Sequence, residues 1–392
     1  MNARTEIERA VRAAAPHALV EAVRDALATA YDARSVRLLL ADYAMTVLKP
    51  VGPEPEGELL ALSMHNSPQG RAFGSQRPHE EPAGNGGQVE HHFPVTVRGE
   101  RLGILSVRLP AGRSTPQTTD ELAYVADLLG HEIIVAERDT DHYQRARRVT
   151  RLTLAAEMQW QLLPARAFTA AEYAIGAQLE PAYAIHGDNF DWTADGDQLT
   201  VAVTNGMGEG IQASLLTNLA VNALRNARRA GIGIEDQAAL ADQALYDQHR
   251  GSAHVSTLLL RFDLATGAVG AVDAGSPQLW RLRGRTVARV DLEAQLPLGM
   301  FEESQYVVQN LRVVPGDRLL LVSDGVYDSV SPLGEPYVER GLARAILATR
   351  LLPAASVPGA VLRELADYRD GEPLDDAMVV CVDWFGRQAS GS

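Results

Sequence analysis

Residues 320–325 read Leu320-Leu321-Val322-Ser323-Asp324-Gly325, an apolar run that stops on a carboxylate and a glycine. A short run of this kind reads as a buried strand, and the Asp-Gly after it puts the acidic side chain at the strand's end. Two other stretches share the arrangement. His186-Gly187-Asp188-Asn189-Phe190-Asp191 follows a strand-like segment, and Leu374-Asp375-Asp376-Ala377-Met378-Val379-Val380 sets an acidic pair before a strand. Carboxylates brought from several strand ends suit hard divalent cations, which take oxygen ligands and retain waters. A pair of such ions can bind a phosphate and activate water for in-line attack. Taken singly, each aspartate also reads as an ordinary turn residue or helix cap.

Around these motifs, residues 166–386 alternate between apolar strand candidates (199–204, 256–262, 270–273, 279–282, 307–313, 318–323, 378–382) and helical blocks (211–230, 235–248, 337–348, 357–368). Strands and helices in separate blocks indicate layered α+β architecture rather than a regular alternation. The last residues, 387–392, read as a disordered tail.

The whole chain has 392 residues, with 36 Lys+Arg against 50 Asp+Glu and a formal charge of −14. At roughly 100–200 residues per domain, that length implies two or three domains. The acidic balance, without a Lys/Arg run, argues against a nucleic-acid partner. A single cysteine, Cys381, fits a reducing compartment. Charges at the start stand where a signal peptide needs an apolar stretch, and no run is long enough for a membrane span. A soluble cytoplasmic protein is expected.

Towards the N-terminus, residues 4–31 carry apolar residues at helical spacing, and 35–40, 45–51, 91–97 and 102–109 read as strands. Arg98-Gly99 supplies a hairpin turn. Residues 65–87, rich in glycine and proline, read as an irregular loop, and His79, His91 and His92 as solvated side chains. The stretch from Phe93-Pro94-Val95-Thr96-Val97 through Arg98-Gly99-Glu100-Arg101 to Leu102-Gly103-Ile104-Leu105-Ser106-Val107 resembles the central hairpin of a GAF domain. That resemblance implies an N-terminal α/β sensor domain, residues 1–137, able to take a small-molecule ligand.

From Thr119 to Leu163 no proline interrupts the apolar spacing, and Pro164 ends it. One long helix is the simplest reading, with 138–165 as a linker. Its stripes at Leu122–Ala136 and Val149–Leu162 suggest a homodimeric coiled coil; packing on its own domains is the alternative.

The acidic motifs, taken in order, resemble the SpoIIE-type, RsbU-like branch of the PPM metal-dependent protein serine/threonine phosphatases. Glu157-Met158-Gln159-Trp160-Gln161-Leu162-Leu163-Pro164 is similar to the helix end preceding that domain. His186-Gly187-Asp188-Asn189-Phe190-Asp191 matches Gly-Gly-Asp-x-x-Asp with His186 for the first glycine. Ala274-Gly275-Ser276-Pro277 matches Ala-Gly-His-Pro with serine for histidine. Leu296-Pro297-Leu298-Gly299-Met300, Ser323-Asp324-Gly325-Val326 and Asp375-Asp376-Ala377-Met378 follow in the family's order.

The resemblance implies an α/β/β/α sandwich with a two-ion Mn²⁺ or Mg²⁺ site. Asp188, Asp324 and Asp375 match metal ligands, as does the Gly206 carbonyl, while Asp376 and Asp191 are candidates for outer contacts through water. In Val203-Thr204-Asn205-Gly206-Met207-Gly208-Glu209-Gly210, Asn205 stands where the family has its bridging Asp, and Glu209 where His is usual. An Asn offers one neutral oxygen where an Asp offers two anionic ones, so one ion should bind more weakly. Glu209 could restore the charge or act as a general acid, or be a solvated residue favourable at a helix start. The implied activity is hydrolysis of a phosphoserine or phosphothreonine on a STAS-type anti-sigma-factor antagonist. The alternative is a pseudophosphatase scaffold that binds partners without turnover.

Overall fold

Arg98 and Gly99 both take positive φ, 51° and 101°, and turn the strand Gln88–Val97 into the strand Glu100–Pro110. In the computed structural model, which describes residues 3–52, 61–84, 87–369 and 375–387, this hairpin belongs to the first of two units, Met1–Arg151 and Leu152–Ser392. The unit's antiparallel sheet has six strands, ordered Leu62–Ser63, Val47–Pro50, Ser35–Ala41, Glu100–Pro110, Gln88–Val97, His79–Ala83.

Side chains alternate across a strand, so this sheet has two separate apolar faces. Val36, Leu38, Leu105 and Val107 pack against helices Ala3–Ala13, Leu19–Tyr31 and Pro116–Ala136. Leu39, Ala41 and Ile104 meet Ala72 and Phe73 from the helix Pro68–Ser75. Full burial of each large aliphatic or aromatic side chain contributes about 1.5–3 kcal/mol.

Three expectations for this region need correction. First, the stretch 65–87 is not an irregular loop. Its Pro68 sits in the first helical turn, and the Ser67 hydroxyl caps that helix by accepting the Gly70 N–H at 2.9 Å. Gly70 is a packing glycine, because a Cβ there would lie 2.1 Å from the Met64 carbonyl oxygen. The rest forms the edge strand His79–Ala83; Asn85 and Gly86 lie outside the described residues. Second, His91 and His92 are buried, not solvated. Ser114 and Ser106 hydroxyls partner them at 3.0 and 2.9 Å, and burial lowers both imidazoles from their ordinary value.

Third, the single helix over 119–163 does not form. The chain makes Pro116–Ala136, His142–Ala146 and Leu154–Leu162 instead. The break brings Tyr143 into the core of the first unit, where its hydroxyl donates to the Pro16 carbonyl at 2.8 Å. Arg147 Nε donates to the Ala41 carbonyl at 3.0 Å. Thr153 then caps the last helix, accepting the Ala156 N–H at 3.1 Å. The division between units falls inside the stretch expected as a linker. Leu122, Val125, Leu129, Ile133 and Ala136 are covered by their own unit, so the first of the two stripes that suggest a homodimer is buried within that unit; of the second, Leu152, Ala155 and Leu162 are buried and Val149 is exposed.

The second unit holds two antiparallel sheets. Five strands are ordered Gln309–Arg312, Ala268–Ala274, Val255–Asp263, Gln198–Gly206, Asp188–Asp195; six are ordered Thr286–Arg289, Gln278–Arg283, Arg318–Val322, Ala377–Trp384, Tyr173–Glu180, Ala167–Thr169. Ala202, Leu259 and Val272 of the first face the helices Gly210–Arg229 and Ile234–His249. Leu320, Val379 and Cys381 of the second face Tyr337–Ala348 and Val357–Arg369. The opposite faces, with Val201, Leu258 and Leu260 on one sheet and Leu319, Leu321, Val380 and Val382 on the other, are equally buried. Phe262 and Trp384 stack between the sheets, ring centres 6.0 Å apart. The layers are therefore helix, sheet, sheet, helix.

Of the tail 387–392, only Arg387 is described, and it donates to Glu172 and Asp197 at 3.2 and 2.5 Å. No described helix is long and apolar enough to cross a membrane.

Candidate functional site

Strands Asp188–Asp195 and Gln198–Gly206 pair in a register that sets Asp188 opposite Asn205. From the other sheet, Arg318–Val322 runs into Ser323 and Asp324, beside the strand that begins just after Asp375 and Asp376. The sandwich thus gathers residues from four strand ends at one edge. There the Asn205 Nδ2 donates to Asp324 Oδ1 at 2.6 Å.

Asp188 is 2% exposed, and its Oδ2 has no hydrogen-bond partner among the described residues. Burial, then the charges of Asp376, Asp324 and Asp375, hold its carboxyl well above the usual carboxylate range. Burial and the Asp375 charge raise Asp324 likewise. Asp376 is used differently. Its Oδ2 accepts the backbone N–H groups of His186, Gly187 and Asp188 at 2.5, 3.0 and 3.3 Å. Burial still pushes its carboxyl up to about 6, and its Oδ1 has no hydrogen-bond partner among the described residues. Asp375 is exposed and accepts the Asp376 N–H at 2.8 Å.

A buried carboxyl surrounded by carboxylates is neutralised either by a proton or by a cation. The donor chemistry, oxygen throughout, fits a hard divalent ion. The placement is open, however: among the described residues no three His, Cys, Asp or Glu side chains stand together ready to hold one.

The backbone near Asp188 is built on two glycines in close approach. Gly206 N–H donates to the Gly187 carbonyl at 3.1 Å, and a Cβ on Gly187 would lie 2.2 Å from the Gly206 oxygen. Thr217, from the helix Gly210–Arg229, donates its hydroxyl to the same Gly187 carbonyl at 2.7 Å. Ser214, three residues earlier, donates to the His186 carbonyl at 3.1 Å. Sequence reading missed these two braces, although hydroxyls at i, i+3 signal one face of a helix.

Other motif residues fall elsewhere. Asp191 is clamped by Arg225 and Arg228 at 2.7 and 2.8 Å, tying its strand to that helix. Glu209 occupies the position before the helix, exposed and without a cap bond from its side chain. Gly299 donates its N–H to Asp242 at 2.7 Å, so Leu296–Met300 anchors a loop to the helix Ile234–His249. Gly275 has φ 136°, where a Cβ would lie 2.4 Å from the Ser256 hydroxyl. The Ser276 carbonyl accepts the Tyr327 hydroxyl at 2.7 Å, joining that turn to the one after Asp324.

This layering is the fold of the PP2C-type phosphatases. The SiaA-PP2C domain of Pseudomonas aeruginosa shares it with a TM-score of 0.51, at 21% identity over 59% of this chain and 93% of that one. Residues 195–385, within the C-terminal unit, match the family described as stage II sporulation protein E (SpoIIE). Protein IcfG of a Synechocystis strain is 21% identical over 60% of this chain and 42% of its own length. Phosphoserine phosphatase RsbU of Bacillus subtilis is 22% identical over 61% of this chain and 71% of its own. The match to IcfG thus spans less than half of that relative.

Proposed function

We propose that the C-terminal unit is a metal-dependent protein serine/threonine phosphatase, acting in the cytoplasm on a phosphoserine or phosphothreonine of a regulatory partner. The observation that carries this reading is Asp188, a buried carboxylate with an orphaned oxygen whose charged neighbours are carboxylates. Asp188, Asp324 and Asp375 are the proposed ligands of Mn²⁺ or Mg²⁺, with the Gly206 carbonyl beside them. When bound, such ions supply Lewis acidity and an activated water for in-line attack on phosphorus.

The chain's own residues hold the frame for that chemistry. Gly187 and Gly206 let their two backbone segments pack against each other and against Thr217, where a side chain would not fit. Asp376, Ser214 and Thr217 fix the loop that presents Asp188. Asn205 orients Asp324. Glu209, exposed at the helix start, is the proposed group for charge compensation or proton donation.

RsbU's name as a phosphoserine phosphatase supports this activity. By the same likeness the substrate is a STAS-type anti-sigma-factor antagonist. The first unit, a six-stranded sheet with helices packed on both faces, is proposed as the GAF-like sensor controlling turnover.

The test is hydrolysis of an aryl phosphate and a phosphoserine protein with excess Mn²⁺, using Asp324→Ala as control. Turnover that disappears in the variant supports the enzyme. Absence of turnover in the parent chain selects the scaffold reading, which the Asn205–Asp324 hydrogen bond favours because it engages an oxygen of a proposed ligand.

A further inference from the structure

We infer that the Asn205 amide stands in for one cation, so that this site holds a single divalent ion. The inference rests on the metal-binding part of the proposed function and not on turnover.

Asn205 lies across the strand pair from Asp188 and reaches Asp324, two residues past the end of the strand Arg318–Val322 in the other sheet. At 2.6 Å, its Nδ2 is a donor pointed at a carboxylate oxygen, and an amide nitrogen has no lone pair to offer a metal. The same Oδ1 accepts the Gly325 N–H at 3.0 Å. Two donors therefore satisfy an oxygen that would otherwise demand a positive charge. The unmet anionic capacity lies elsewhere, on Asp188 Oδ2 and Asp376 Oδ1, in residues that are 2% and 1% exposed.

An aspartate at 205 would reverse this. Two carboxyl groups would face each other at hydrogen-bond distance, a contact that either a shared proton or a cation must hold together. The exchange of amide for carboxylate thus adds an anionic ligand and a charge that a second ion can neutralise in place of a proton, while changing no side-chain volume of consequence. The backbone does not depend on residue 205 for its path, because Asp376 and Thr217 hold the facing loop.

The experiment counts ions on the full chain. Isothermal calorimetry with Mn²⁺, read beside the electron spin resonance of the bound metal, should give one Mn²⁺ per chain and the spectrum of an isolated ion. Asn205→Asp should take two, with the spectrum of an exchange-coupled pair. Two ions in the parent chain overturn the inference, as does no binding at millimolar Mn²⁺, or a folded Asn205→Asp that still takes one. Should Asn205→Asp fail to fold, judged by circular dichroism, the count in the parent chain decides alone. The phosphatase reading fails separately, when the Mn²⁺-loaded chain turns over no phosphoester.

Discussion

Replacing Asp191 with alanine removes a carboxylate shared by two arginines. The Asp191 side chain is 5% exposed, and those of Arg225 and Arg228 are 16% and 17% exposed. Removing one member of a buried pair costs about 3–5 kcal/mol, mostly because the remaining charge is left buried and unpaired. Two effects reduce that figure here. Arg225 keeps the Leu162 carbonyl at 2.7 Å, and both guanidiniums can extend toward water on their aliphatic stems. About 2–4 kcal/mol is the expected loss. All four tryptophans, Trp160, Trp192, Trp280 and Trp384, lie in the C-terminal unit, so their fluorescence during urea denaturation reports that unit alone. Asp191→Asn, which keeps an acceptor but no charge, should lose less. A double-mutant cycle with Arg228→Ala should show a coupling of at least about 1 kcal/mol. Mn²⁺ affinity should stay within about twofold, since a twofold change is below 0.5 kcal/mol. A stability change under about 0.5 kcal/mol, the range of ordinary surface substitutions, would refute the clamp. So would a large loss of Mn²⁺ affinity at unchanged stability, which would return Asp191 to the metal's surroundings.

Asp324→Ala and Asp375→Ala should each weaken Mn²⁺ binding by at least about tenfold in calorimetry, since even outer-shell partners of metal sites are worth that much; parental affinity in both would remove the site assignment. Gly187→Ala should destabilise the C-terminal unit by about 1–3 kcal/mol or more, because the new methyl meets the Gly206 carbonyl rather than a movable side chain; an unshifted tryptophan transition would contradict that close approach. In the first unit, burial alone would raise the Glu90 carboxyl, but Arg108 and Arg37, each at 2.9 Å, outweigh it and hold the group below its ordinary value. The unfolded chain then binds the proton more readily, so this contribution is complete above the ordinary Glu value of about 4.3 and is lost as pH falls through the lower folded value. Hydrogen-exchange protection of the strand Gln88–Val97 should decline over that acid range, and Glu90→Gln should flatten the decline; an identical acid profile in the variant would count against the pairing.

Much of the second unit was legible because its strands are short apolar runs punctuated by carboxylates and glycine. Leu320-Leu321-Val322 became the end of a buried strand, with Asp324 two residues beyond it at the start of the short helix Asp324–Tyr327. The division of labour between Asp375 and Asp376 was not legible. Adjacent residues point to opposite sides of an extended chain, and only the fold decides which one meets the loop at His186. The broken helix was hidden for a different reason. Local apolar spacing continues past Ala136, yet burying Tyr143 and satisfying its hydroxyl outweighs continuing the ladder. His91 and His92 escaped because polar residues on a strand read as solvent-facing until a neighbouring strand and serine hydroxyls enclose them.

Asn205-Gly206 is also a chemical liability held in check by its setting. An Asn-Gly sequence in a flexible chain ages by cyclisation: the glycine nitrogen attacks the side-chain carbonyl carbon, ammonia leaves, and water opens the imide to aspartate or isoaspartate. Here Asn205 is extended between two strand neighbours, and the Gly206 nitrogen is committed to the Gly187 carbonyl. Ring closure requires that strand end to come apart first. Conditions that loosen it turn storage time into a chemical edit at the very residue that sets the site's charge, so the identity of residue 205 depends on the sheet staying closed.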